Sequence, residues 1–231
     1  MIGYDNHRLN HGLLLDLTME EVSGAAGAYI YDRAKPHHAC LLHGGTIGWV
    51  QLASGLWVMD FTSATPDWID CSAADTADLD FTTEDFSVGC WVSVDDLSIN
   101  RQIMGRGLVD SDGWCVYVNQ NGGVNAVTST AFSHDTSRAP DDSVTIGNWA
   151  LVGVSRFGTS VSIFVNGIDV IEVADTHADP LTSARELHIG IYDDETGSPW
   201  EGQQWRPRIW GSRALEEWEW LQLYNLERHW F

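Results

Sequence analysis

Lysine is almost missing from this sequence. Lys35 is the only one, and all basic side chains together number 12 against 33 Asp and Glu, for a formal net charge of −21. A surface of that sign repels nucleic-acid phosphates and anionic lipid headgroups, so neither is expected as a partner. No apolar run approaches the roughly 18 residues that a membrane-spanning helix needs, so no membrane insertion is expected. The opening Met1-Ile-Gly-Tyr-Asp-Asn-His-Arg8 lacks the layout of a secretory leader. Cysteine is sparse, with Cys40, Cys71, Cys90 and Cys115 far apart and no CxxC. The last three sit in apolar, strand-like runs, where a thiol behaves as a small hydrophobe. Four reduced cysteines and folding in a cytosol are the expectation.

Tryptophan, by contrast, is abundant. Twelve Trp and a hydrophobic fraction of 44% exclude a disordered chain. For a chain of 231 residues, area scaling gives a folded surface of roughly 10,000 Å² against about 37,000 Å² unfolded, enough for a substantial core. One domain across 1–231 is expected, with residues 1–10 as an N-terminal arm.

The stretch Trp149 to Val173 carries the strongest structural signal. Two apolar runs flank Phe157-Gly-Thr-Ser160, and a third follows Asn166-Gly167, a pair that tolerates φ > 0 and marks a tight hairpin. In the middle run Val161, Ile163 and Val165 alternate with Ser160, Ser162, Phe164 and Asn166, which predicts one buried and one mostly wet face. Phe86, Val88, Cys90, Val92 and Val94 alternate in the same way and should face the same core. Further short strands are expected at Leu13 to Leu17, Trp49 to Leu52, Leu56 to Phe61, Trp68 to Cys71, Ile103 to Gly107, Trp114 to Val118, Val124 to Thr128, Leu187 to Tyr192 and Arg208 to Trp210. Trp57, Trp91, Trp114 and Trp149 fall in these patterns as core residues. Ser133 to Ser143 reads as a long polar loop. Residues 216–229 lack Gly and Pro and read as a terminal helix, with Leu215, Trp218, Gln222 and Asn225 on one side. A dozen short strands at this spacing with one helix imply an antiparallel β-sandwich or jelly roll.

These residues resemble a known family. Trp68-Ile-Asp-Cys71, followed by Phe81-Thr-Thr-Glu-Asp-Phe-Ser-Val-Gly-Cys-Trp-Val92, is similar to the core of laminin-G-like domains of the concanavalin A-like lectin/glucanase superfamily. So are Trp149-Ala-Leu-Val-Gly-Val154, Val161-Ser-Ile-Phe-Val-Asn-Gly167, Arg208-Ile-Trp210, Arg213-Ala-Leu215 and Leu223-Tyr224. The resemblance implies the concanavalin A-like sandwich. It says little of function, because the fold hosts lectins, hydrolases, adhesion modules and virion proteins. Hydrolases of the fold place paired carboxylates on one strand as E-x-D-x-E; here Asp78-Leu-Asp80 is the nearest approach and Glu216-Glu-Trp-Glu219 is helical, so no catalytic residues are expected. Many relatives hold calcium with an acid in the segment that here reads Gln203-Gln-Trp-Arg206, which has none.

Other chemistry is weighed residue by residue. His37-His-Ala-Cys-Leu-Leu-His43 has zinc-type ligands, but His43 points away from His38 and Cys40 on a strand, and no second cluster completes a tetrahedron. Ser155 lies mid-strand with the wrong spacing for a nucleophile elbow. If calcium binds, Asp32, Asp110 and Asp112 are the candidates, and no other cofactor is expected. Asp193, Asp194 and Glu195 beside Trp200 could form a glycan patch, the ring stacking on a sugar. Arg228-His-Trp-Phe231 carries the residue types that anchor interfaces and is the candidate docking segment. The expected role is a non-catalytic module on a virion surface, such as a phage capsid decoration or tail protein, folded in the host cytoplasm and bound to a second copy or to capsid or tail proteins. The alternative is an extracellular, lectin-like adhesion module that binds surface glycans. A glycoside hydrolase is the least favoured.

Overall fold

In the computed structural model, which describes residues 7–18, 26–44, 48–193 and 195–231, both members of the Asn166-Gly167 pair have positive φ, 55° and 84°. The hairpin is therefore the one its chemistry predicts. In chain order the strands are β1 (Leu13–Asp16), β2 (Tyr29–Ile30), β3 (Cys40–His43), β4 (Gly48–Gln51), β5 (Trp57–Phe61), β6 (Trp68–Cys71), β7 (Phe86–Val94) and β8 (Arg101–Leu108). They continue as β9 (Asp112–Val118), β10 (Val124–Thr130), β11 (Ser133–Arg138), β12 (Ala150–Phe157), β13 (Ser160–Val165), β14 (Ile168–Asp169), β15 (Leu187–Ile189) and β16 (Gly202–Gly211), and then the helix α1 (Glu217–Glu227). One sheet has the order β14-β13-β12-β7-β16-β5-β4 with β1 added on β16; the other runs β11-β10-β9-β8-β15-β6-β3-β2. All these pairings are antiparallel.

The two sheets pack face to face as a concanavalin A-like sandwich. Val88 and Val92 on β7 and Val161 and Ile163 on β13 are buried, as their alternation predicts, and Val152 and Val154 on β12 are buried with them. Phe86 reaches across to Trp114 of the second sheet, with ring centroids 5.5 Å apart. Trp91 and Trp114 are core residues, whereas Trp57 and Trp149 are only half-buried.

The outer face of the first sheet departs from expectation. Phe164, assigned to a wet face, is buried beneath Trp220 of α1, centroids 5.8 Å apart. The helix lies over this face, and the sheet is shaped to receive it. Gly89 and Gly153 are opposed in register on β7 and β12. A Cβ at Gly89 would lie 2.6 Å from the Trp220 ring, and one at Gly153 2.7 Å from it. The two glycines thus form a slot that the indole fills, and its Nε1–H donates to Ser155 Oγ at 3.0 Å. The buried stripe of α1 is Glu219, Trp220, Leu223 and Glu227, so the side expected from Leu215, Trp218, Gln222 and Asn225 is wrong. Two of the buried residues are acids with partners inside the fold, which a hydrophobic stripe does not reveal. Glu216 and Glu219 form a capping box, and the chain continues past α1 as a 3-10 turn, Arg228–Trp230.

Two further expectations are corrected. Residues 133–138, read as loop, form edge strand β11 paired along its length with β10. An edge strand of Ser, His, Asp, Thr and Arg has no apolar period to announce it. Cys40 and Cys71 are not free thiols but form a disulfide, their Cα atoms 4.3 Å apart across β3 and β6; Cys90 and Cys115 are free and buried. The bridge depends on strand register, which brings together residues 31 apart in sequence.

Alkylation of the denatured protein without reductant should label two cysteines, with four labelled only after reduction; four labels at the first step would contradict the bridge. Gly153→Ala should destabilise the fold by about 2–4 kcal/mol, because the added methyl overpacks the slot and lifts Trp220 from it. Denaturant unfolding followed by Trp fluorescence measures this, and a loss below half a kcal/mol would be inconsistent with a filled slot.

Candidate functional site

The residues singled out for calcium do not converge. Asp32 is buried and its carboxylate is already a hub: Oδ1 accepts the N–H of Asp16 and of Ala34, and Oδ2 accepts the N–H of His38, each at 2.9 Å. Oδ2 also meets His38 Nδ1 at 2.9 Å, while His38 Nε2 lies 2.9 Å from Asp78 Oδ1. Burial opposes a charge on this imidazole, but the hydrogen bonds to Asp32 and Asp78 outweigh it and push its pKa up to about 9. Both carboxylates therefore serve an imidazolium. Asp80, the other acid of the nearest approach to a hydrolase motif, accepts the Ser183 N–H at 2.8 Å. Ser155 is likewise structural, donating to the Leu215 carbonyl at 2.8 Å.

Asp110 and Asp112 lie elsewhere, on the hairpin between β8 and β9. Here the structure brings together segments far apart in sequence. The β10–β11 hairpin lies alongside: the Phe132 N–H donates to the Asp110 carbonyl at 2.9 Å, and Asp110 Oδ1 meets His134 Nδ1 at 2.7 Å. Tyr192 and Ser198 close the group from the other side. The Val109 N–H donates to the Tyr192 hydroxyl at 2.7 Å, and the Gln102 N–H donates to the Ser198 carbonyl at 2.9 Å. Arg185 links the two acidic loops, ion-paired to Asp193 and 3.4 Å from Asp112. Burial raises the Asp193 pKa, with Arg185 pulling it back.

Phe132 is the most exposed large hydrophobic residue described, at 95%. It also has φ 67°, a conformation that a bulky side chain rarely adopts. Asp110, Glu195 and Ser198 in the same group have φ of 64°, 56° and 51°. Such strain collects where the chain is shaped for something other than stability. Phe132 thus exposes its ring from a turn whose backbone is bonded to Asp110, the acid of an exposed carboxylate–imidazole pair. Non-covalent recognition needs such groups: an apolar face for stacking and polar atoms for hydroxyls. The available signal for Phe132 was a lone aromatic between Ala131 and Ser133, in a stretch otherwise polar.

The glycan patch drawn around Trp200 is not supported. That ring is fully buried, at 0% exposure, and cannot stack on a sugar. Asp194 lies outside the described residues. Glu195 is exposed, and it reaches His188 rather than Trp200: His188 Nε2 is 3.8 Å from its Oε1. Glu186, His188 and Glu195 each present a ligand-type atom within 4.8 Å of the others. Asp70 on β6 is directly opposite His188 in register and lies 2.5 Å from His43 Nε2, while the His43 ring stacks on Trp68 at 5.0 Å.

The terminal docking segment is divided. Phe231 packs against Trp91 and Trp149, with centroids at 4.2 and 4.5 Å, so it is part of the fold. Arg228, His229 and Trp230 remain exposed.

Comparison with known proteins agrees with this architecture. The profile of a laminin G family, described as the concanavalin A-like lectin/glucanases superfamily, matches residues 71–219, well over half the chain. No curated protein matches the sequence. Among solved structures, the binding domain of Paraclostridial Mosquitocidal Protein 1 superposes with a TM-score of 0.71 at 14% identity, over 95% of this chain and 53% of that one. Botulinum neurotoxin type C, which interacts with two ganglioside molecules, gives 0.68 at 13% identity over 94% and 52%. The binding domain of botulinum neurotoxin DC, in complex with rat synaptotagmin II, gives 0.68 at 10% identity over 94% and 52%. At such identities the similarity shows the fold alone, and the chain spans about half the length of these structures.

The raised pKa of His38 sets a pH dependence. The folded state holds the proton more tightly than the unfolded chain, so this stabilisation is fully present below about pH 6.5 and is lost as pH rises through about 9. The loss should be on the order of 3 kcal/mol. Urea unfolding at pH 6 and pH 9.5 tests it, and His38→Gln should flatten the difference. An equal pH dependence in that variant would place its origin elsewhere.

Proposed function

This chain belongs to the concanavalin A-like lectin/glucanases superfamily, and on that premise we propose that it is a non-catalytic recognition module for surface glycans, with its binding end at Phe132. The observation that carries the reading is the exposed, backbone-strained Phe132 ring beside the Asp110–His134 pair. An aromatic face stacks on the apolar side of a pyranose, and a carboxylate with an imidazole accepts from and donates to its hydroxyls. The net charge of −21 favours neutral sugars over anionic ones. The acids nearest a hydrolase pattern, Asp78 and Asp80, are committed to His38 and to a backbone N–H, which supports binding rather than bond cleavage. The similarity to binding domains of clostridial toxins supports a module of this kind. The receptors of those proteins belong to molecules about twice the matched length, so they do not name the partner here. The Cys40–Cys71 bridge supports an extracellular or cell-surface setting, since disulfides persist under oxidising conditions.

A second reading keeps the module on a virion surface, docked to capsid or tail proteins or to another copy of itself. Exposed Arg228, His229 and Trp230 favour it as anchors. Loss of particle association in Trp230→Ala, with glycan binding intact, would select it.

Phe132→Gly separates binding from stability. Glycine relieves the left-handed strain, so the unfolding free energy should hold or rise by about 1 kcal/mol. Affinity for neutral glycans on an array should fall at least tenfold. A variant that binds as well as the wild type would remove Phe132 from the site.

A further inference from the structure

Glu186 and His188 flank Leu187, a core residue of the second sheet, so strand alternation turns both outward on the same face. Glu195 descends on them from the 192–198 segment, and the three ligand-type atoms lie within 4.8 Å of one another. Three such groups are not by themselves a site. The second observation is His188 itself, which is only 4% exposed; among the described residues neither of its ring nitrogens has a hydrogen-bond partner. A buried, unpartnered imidazole is costly, and buried polar atoms are normally satisfied. Here Nε2 points toward the Glu195 carboxylate at 3.8 Å, too far for a hydrogen bond but suited to a shared third atom.

We propose that Glu186, His188 and Glu195 bind a divalent transition ion of the zinc type, with Asp70 or water completing its coordination. One imidazole and two carboxylates fit borderline ions such as Zn²⁺, Co²⁺ or Ni²⁺, whereas Ca²⁺ and Mg²⁺ take oxygen alone. Ligand bonds near 2 Å need the donor atoms closer than they now stand. The exposed Glu195 side chain can close that gap by rotation, while His188 is held on β15 and Glu186 immediately precedes it. Asp70 is directly across the strand from His188. A bound ion would clamp the loop that bears Glu195 onto the second sheet. That segment also holds the hairpin bearing Asp110, through the Tyr192 hydroxyl.

The test uses the full chain after dialysis against a chelator. Titration with ZnCl₂ by calorimetry should show one saturable site at micromolar affinity or tighter and raise the melting temperature. CoCl₂ should bind at the same stoichiometry, with visible absorption typical of low coordination. Glu195→Gln, an exposed substitution that leaves the core untouched, should weaken zinc binding at least tenfold, and His188→Gln should abolish it. CaCl₂ in millimolar excess should not compete. Failure to saturate at one equivalent, unchanged affinity in Glu195→Gln, or equal competition by calcium would each overturn the proposal.

Discussion

Trp220 seated between Gly89 and Gly153 is the contact on which the first sheet depends. Without a helix over it, the outer face of β7, β12 and β13 would expose Phe164 and the floor between two glycines, a poor strand surface. With the indole in place, every residue of β7 is buried, on one face by the second sheet and on the other by α1. The pairing is mutual. Glycine weakens an isolated strand because it adds backbone freedom and no side-chain contact. That cost is offset only if a large side chain occupies the space. Trp220 does so from sides bounded by Phe164 and Trp210, centroids 5.8 and 5.6 Å away.

A buried ionic chain holds the helix in that register. Glu227, on the last turn of α1, accepts from Arg206 Nη1 at 2.6 Å, from both terminal nitrogens of Arg208 at 2.8 and 2.9 Å, and from Trp91 Nε1 at 2.8 Å. Arg206 continues to Asp16 on β1, which also pairs with Arg33. Burial alone would raise both acids, but the guanidinium groups overcome it and hold Asp16 well below the ordinary carboxylate range, with Glu227 lowered as well. Arg206 reaches both because β16 bulges there, where its φ is 57°. Apolar packing alone would let a helix slide. Charges fixed at both ends of Arg206 penalise every register but one, since a slip would leave a buried charge unpaired.

How much of this was legible in the sequence varies with the range of the interaction. The Asn166-Gly167 hairpin and the faces of β7 and β13 are local facts, written in dihedral preference and a period of two. The disulfide is not local: Cys40 and Cys71 look like any two core cysteines until β3 and β6 are placed side by side. The buried helix face is not legible as an apolar stripe because it includes Glu219 and Glu227, which pair with Arg213 and with Arg206 and Arg208, all outside the helix. Trp200 shows the converse error. Adjacency to acids in sequence suggests a surface patch, whereas the ring is fully buried in the hydrophobic core. The Glu-Leu-His triplet at 186–188 did carry a readable signal, two ligand types on one face of a strand. It lacked only the third group, which arrives from a loop.

The division of labour between the two outer faces follows from these constraints. The outer face of the first sheet is given to the helix, whose ion chain and slotted tryptophan leave little room for change. The second sheet sets Asp70 opposite His188, and the loops beside it carry Asp110, Phe132 and Glu195. Among the described residues, four of the nine non-glycine positions with positive φ fall in these loops. Strain of this kind is held only where surrounding hydrogen bonds fix the backbone, as the Asp110 carbonyl fixes Phe132 and Tyr192 fixes Val109. The rigid face therefore gives the sandwich its stability, and the strained one shows a ring and its polar neighbours to solvent in a single arrangement. Pre-organisation of that sort lowers the ordering cost of any association made through this surface.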